Sequence, residues 1–172
     1  MLRQSLYIFL AIAAAVAGVV VAGLLSRPAA GDLDHVTVLS APRVLPDTVK
    51  VIDSTGGERT LGSFTGGGSL VFAGFTYCPD ICPTTLAQLA QVRAALPTLN
   101  VLLFSVDPER DSTEKLKKYT NMFGPAFIGL RGEESVIKAM TKKYRVTFGY
   151  GDKDGEGNYD VSHSGAVFIF DA

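Results

Sequence analysis

The sequence predicts an α/β domain with a mainly parallel sheet and helices on both faces, opened by a β-hairpin and preceded by one transmembrane helix. Two observations carry this. From residue 69 to 144, apolar runs of strand length alternate with segments of helical period, the pattern of repeated βαβ units. Ahead of them, residues 6–25 form an uncharged stretch rich in Ala, Val, Leu and Ile.

That stretch is long enough to cross a bilayer. At ~1.5 Å rise per residue its 20 positions span the ~30 Å hydrocarbon core. Gly18 and Gly23 are tolerated in membrane helices. Arg3 precedes the span, while Arg27, Asp32 and Asp34 follow it, which favours the N-terminus inside and the globular part outside. A cleaved signal peptide is the alternative, but its apolar region runs only about 7–15 residues. No cysteine follows the span, which excludes a lipoprotein. No long Arg/Ser-rich presequence precedes it, which points to the periplasmic side of a bacterial inner membrane over a mitochondrial inner membrane. The expected organisation is an anchor at 1–26, a tether at 27–42 and a domain at 43–172. His35 falls in the tether, as an exposed loop histidine.

Within the domain, residues 44–61 suit a small hairpin turning at "STGG". Gly66, Gly67 and Gly68 break the chain before "SLVFAGF", a strand. Residues 84–95 place Leu86, Leu89, Ala90 and Val92 at helical spacing, with Pro97 beyond the end. "NVLLFSVD", 100–107, is a buried strand. Asp111 and Glu114 have the spacing of a capping box for the next helix, whose stripe is Leu116, Tyr119 and Phe123. Met122 and Met140 read as core residues. "AFIGL", 126–130, is a third strand, and 133–144 carries Val136, Ile137, Met140 and Tyr144 on one helical face. After a Gly-rich polar loop, "GAVFIFDA" is the last strand.

Charge excludes one class of partner. The 16 basic and 17 acidic residues nearly balance and leave no basic patch, so nucleic acid is not expected.

The chemistry points to "FTYCPDICPT". It holds Cys78 and Cys82, the two cysteines of the chain. They lie between a strand and a helix, near a helix N-terminus whose partial positive charge favours thiolate. Residues four apart on a helix share a face, so the sulfurs can grip one ion or close a disulfide. As a staple the bridge closes a very small loop and gains little. A thioredoxin-type redox motif spaces its cysteines by two residues, not three. Closed zinc sites need four ligands, and the chain has two cysteines and two histidines. Two thiolates and one imidazole suit copper instead: thiolate selects Cu(I), and imidazole also suits Cu(II). His163, between the Gly-rich loop and the last strand, is the candidate third ligand.

These residues also carry a family likeness. "GFTYCPDICPTTLAQL" resembles the site motif of the Sco/SenC copper chaperones, which assemble the CuA centre of cytochrome c oxidase. "SVDPERDSTEKLKKY" resembles that family's next segment, with its D-P-x-R-D run, and the His163 segment its third. The likeness spans about residues 44–171. It implies a thioredoxin-like fold holding copper through Cys78, Cys82 and His163. It also implies, as partners, the oxidase subunit that carries CuA, together with other copper chaperones or thioredoxin-like reductants. Two departures stand out. Ser162 replaces the Asp that commonly precedes the histidine, with Asp160 three positions before it. The chain also stops at Ala172, where relatives continue through another strand and helix, so truncation is one expectation.

Two functions follow. The first is a membrane-anchored metallochaperone that is not a classical enzyme. The second is a thiol–disulfide oxidoreductase in which Cys78 and Cys82 act as a catalytic redox pair and His163 is incidental.

Overall fold

A computed structural model describes residues 49–64 and 67–170, all within the unit Arg43–Ala172. The predicted anchor and tether, with His35, lie outside the described residues. Among the described residues no helix is long and apolar enough to cross a membrane.

The domain opens with the predicted hairpin. Strands β1 (Lys50–Asp53) and β2 (Glu58–Thr60) pair antiparallel, with Lys50 opposite Thr60. The turn closes on Asp53, whose carboxylate accepts from the N–H groups of Thr55 and Gly57. A 3-10 helix, Leu61–Phe64, leads toward β3 (Ser69–Gly74). Gly67 has a φ of 116°, and a Cβ there would lie 2.6 Å from the Thr98 carbonyl oxygen, so the glycine break is required by both conformation and space.

Then come α1 (Ile81–Ala95), β4 (Asn100–Ser105), α2 (Thr113–Asn121), β5 (Phe127–Arg131) and α3 (Glu134–Tyr144). Strand β3 is buried at every position and β4 at all but its first, which requires cover on both faces. The glycines show which helix covers which face. A Cβ at Gly74 would strike α1 at Cys82, and one at Gly129 would strike α2 at Leu116. Gly129 pairs with Leu103, which a Gly74 Cβ would also touch, so α1 and α2 share a face. Val71, Ala73 and Phe104 point the other way and meet Met140 and Tyr144 of α3.

Several expectations need correction. The sheet is not mainly parallel. Its order is β2-β1-β5-β4-β3-β8, and only β3-β4 and β4-β5 are parallel. The last strand, β8 (Val167–Phe170), runs antiparallel to β3, with Phe72 opposite Val167. Before it, the chain forms an unforeseen second sheet of β6 (Phe148–Tyr150) and β7 (Val161–His163). This arm carries the chain away from the C-terminal end of α3, so β8 enters from the opposite end to a parallel strand.

Helix α1 starts at Ile81, before Pro83, and so takes Cys82 into its first turn. Pro83 fits there because the first turn's N–H groups have no helical acceptor. Its buried face is Cys82, Thr85, Leu86 and Leu89, while Val92 is exposed. Asp111 is not the cap of α2. Ser112 is, accepting from the Lys115 N–H, and Asp111 turns inward. Met140 is buried as expected, but Met122 is exposed, lying just past the helix end.

Candidate metal centre

The two cysteines are held by different devices. Cys82 is fully buried on the inner face of α1. Gly74 makes room for it, since a Cβ at that position would lie 2.8 Å from the Cys82 Sγ. Cys78 lies in the loop between β3 and α1. Its sulfur accepts the Cys82 backbone N–H at 3.3 Å. That N–H belongs to the first turn of α1, where a donor has no helical acceptor and the helix end is partly positive. Both thiols are unbridged. Asp80, between them, is exposed.

A buried carboxylate fastens this loop from below. Asp111 accepts from the Thr76 hydroxyl at 2.6 Å and from the Ser105 hydroxyl at 2.7 Å, and the Thr76 N–H donates to both its oxygens. Burial raises the Asp111 pKa, against the lowering effect of the Thr76 and Ser105 hydrogen bonds. Asp111 has the spacing of a helix cap, which masks this role in the sequence. Thr76, between a strand and the cysteines, carried no signal of its own.

His163 closes the site from the arm. It ends β7 opposite Phe148. Its Nε2 stands 3.3 Å from Cys82 Sγ and 3.7 Å from Cys78 Sγ. Its Nδ1 stands 3.1 Å from the Ser164 carbonyl oxygen. A carbonyl can only accept, so Nδ1 carries the proton and the Nε2 lone pair faces the sulfurs. A backbone carbonyl therefore orients the imidazole, and neither Asp160 nor Ser162 is needed for that task. Phe72 and Phe75 flank the ring edge-on, with centroids 5.8 and 5.5 Å away.

The three donor atoms lie within 4.8 Å of one another, the one such group among the described residues. Burial pushes the Cys82 thiol well above its ordinary range, and the neighbouring charges of Cys78 and Asp111 act in the same sense. Without a metal ion Cys82 therefore favours the neutral thiol, and a cation that binds there exchanges for a proton. With two soft sulfurs and one imidazole, the set suits a thiophilic transition metal. Three donors do not complete the four-ligand shell of structural zinc.

A thioredoxin-like α/β domain with two thiols and an imidazole gathered at the carboxyl ends of its central strands is a domain built to handle a metal or electrons. The SCO1/SenC family model matches residues 45–172. The chain belongs to that family. It is 37% identical over 125 residues to the mitochondrial SCO2 homologue of Danio rerio, covering 69% of this chain and 45% of that protein. It thus spans about half the length of the curated relatives it matches. Among solved structures, apo Sco1 from Thermus thermophilus is similar at a TM-score of 0.68 and 32% identity, covering 83% of this chain and 84% of that one. Bradyrhizobium japonicum ScoI, solved with copper bound, is similar at a TM-score of 0.64 and 33% identity, covering 70% and 79%.

Proposed function

We infer that this chain is a copper metallochaperone. Cys78 and Cys82 bind one copper ion as thiolates, His163 adds the imidazole, and the ion passes to the CuA site of cytochrome c oxidase. The convergence of three donor atoms within 4.8 Å carries the reading. A site of three ligands leaves a position through which a recipient's ligand can enter. The donor set accepts Cu(I) on the two sulfurs and Cu(II) when the imidazole joins. The copper-bound Bradyrhizobium relative supports the choice of metal.

The delivery role calls for membrane placement. An anchor at 1–26 and a tether at 27–42 would hold the domain, 43–172, on the periplasmic side of an inner membrane, beside the oxidase subunit that carries CuA. Donor chaperones and thioredoxin-like reductants would load and reduce the site there.

Metal analysis of the reduced chain should give one copper per chain. The ion should then move to a metal-free CuA domain, read as growth of that centre's visible absorption. A chain that binds no copper, or never passes it on, defeats the reading.

A thiol–disulfide oxidoreductase is the second reading, favoured by the adjacent unbridged thiols. Cys78 and Cys82 would close a disulfide, and the target's disulfide would take up their two electrons and two protons. Copper-free turnover that survives His163→Ala would select it.

A further inference from the structure

The segment after β4 supplies no ligand, yet it touches both loops that form the site. Asp107 is fully buried, and its two oxygens serve different partners. Oδ2 accepts from Arg110 Nε at 2.5 Å, and Oδ1 accepts from the Tyr159 hydroxyl at 2.6 Å. Arg110 Nη1 also donates to the Tyr159 carbonyl at 2.9 Å, with the guanidinium 3.9 Å from the centre of the Tyr159 ring. The guanidinium also stands 5.2 Å from the ring of Tyr77, which adjoins Cys78. It stands 5.7 Å from the ring of Phe75, which meets His163 edge-on.

The arm that carries His163 depends on this segment. Residues 151–158 are all exposed, and Tyr159 is the buried side chain that follows them. The Tyr150 hydroxyl donates to the Val106 carbonyl, and Lys153 pairs with Glu109 at 2.6 Å. The polar fastenings of the arm thus gather on residues 106–110. The cysteines have further supports of their own: α1 for Cys82, and Asp111 through Thr76 for the loop of Cys78.

Resting on the copper reading above, we propose that Asp107, Arg110 and Tyr159 form a latch that positions His163. The closed latch holds the imidazole against the two sulfurs. An open latch lets the arm withdraw and leaves a two-thiolate site behind. The latch thereby acts on Cu(II), which needs the imidazole, and spares Cu(I), which two thiolates retain. These are positioning residues, since none of the three touches the metal.

The test compares Tyr159→Phe, which removes only the hydroxyl, and Arg110→Lys, which keeps the charge and loses the planar fork. Both are made in the full chain, with and without His163→Ala. Each latch variant should lose roughly tenfold in Cu(II) affinity, with weakened nitrogen coupling in the Cu(II) electron paramagnetic resonance spectrum. Cu(I) affinity, measured against a chromophoric chelator, should hold. In the His163→Ala background the latch substitutions should change Cu(II) affinity no further. In the metal-free chain the arm amides of Gly151 and Ser164, bonded to the Asp160 and Thr147 carbonyls, should exchange hydrogen faster, while those of β3 and β4 do not. Equal Cu(II) losses in both backgrounds, unchanged Cu(II) affinity, or unchanged arm exchange would overturn the latch. Should Arg110→Lys not fold, Tyr159→Phe decides. Should the parent chain bind no copper, the copper reading falls by itself, and the exchange measurement still decides the latch.

Discussion

Phe72 and Val167 face each other across antiparallel strands, and that pairing is what brings His163 to the cysteines. Strand β3 ends at Gly74 and runs on into the Cys78 loop. Strand β8 starts beside that same end, so the residues just before it arrive there too. A parallel last strand would begin at the opposite end of the sheet, with His163 far from both sulfurs.

Gly74 sets the position of Cys82. In Gly74→Ala the new methyl would sit 2.8 Å from the Cys82 Sγ and 3.0 Å from the Phe72 ring. The sulfur is fully buried and has no outward escape. Overpacking of this kind costs about 1–3 kcal/mol. Urea unfolding of the reduced metal-free variant should show that loss, and its copper affinity should fall alongside. Parent-like values for both would refute the assignment.

Asp111 and Ser112 are neighbours with separable roles. Asp111→Ala leaves the Thr76 and Ser105 donors without their acceptor. It should cost about 1–3 kcal/mol and weaken copper binding, because Thr76 belongs to the site loop. Ser112→Ala removes only the cap on Lys115. It should cost about 1 kcal/mol and leave copper affinity alone. Unfolding curves and copper titrations of the two variants check the contrast, and equal copper losses would contradict it.

The buried Cys82 thiol makes the reduced, metal-free protein sensitive to alkali. Burial raises its pKa in the folded chain, while in the unfolded chain it returns to about 8.5. Below about 8.5 both states hold the proton, and the contribution to stability is intact. Above it the unfolded chain gives up the proton first, so stability falls as pH rises. Unfolding of the reduced, metal-free chain should show a steeper loss between pH 8 and 10 than Cys82→Ala does. A parallel decline in the two proteins would argue against it.

The thiols should also differ in accessibility. Cys82 is fully buried, and Cys78 is 8% exposed. A thiol-directed alkylating reagent under native conditions should modify Cys78 first, with peptide mass mapping as the readout. Modification of Cys82 first would reverse the assigned geometry.

Much of the site was legible because its residue types are rare in the chain. With two cysteines and two histidines in the chain, the donor choice was narrow, and Cys78 and Cys82 flank a strand-to-helix junction visible in hydrophobic period. The helices α2 and α3 and the three central strands were legible for the same reason. The strands β6 and β7 were not: at three residues each, flanked by an exposed polar loop, they have no period long enough to read. The direction of β8 was also hidden, since a strand's residue pattern is the same whichever way it runs. Asp111 looked like a cap because the cap rule depends on spacing alone. The pull of Thr76, 35 residues away, and of Ser105 at the end of the preceding strand decided otherwise. Tyr159 gave no signal, because its partners Asp107 and Arg110 come together with it only when the arm folds back.

The central claim is that His163 completes a copper site that the two thiols begin. Cu(II) titration of the reduced chain and of its His163→Ala variant, each paired with a Cu(I) competition assay, tests it most directly. The account predicts that the variant binds Cu(II) far more weakly and without nitrogen coupling, yet retains Cu(I). Undiminished Cu(II) binding in His163→Ala would contradict it.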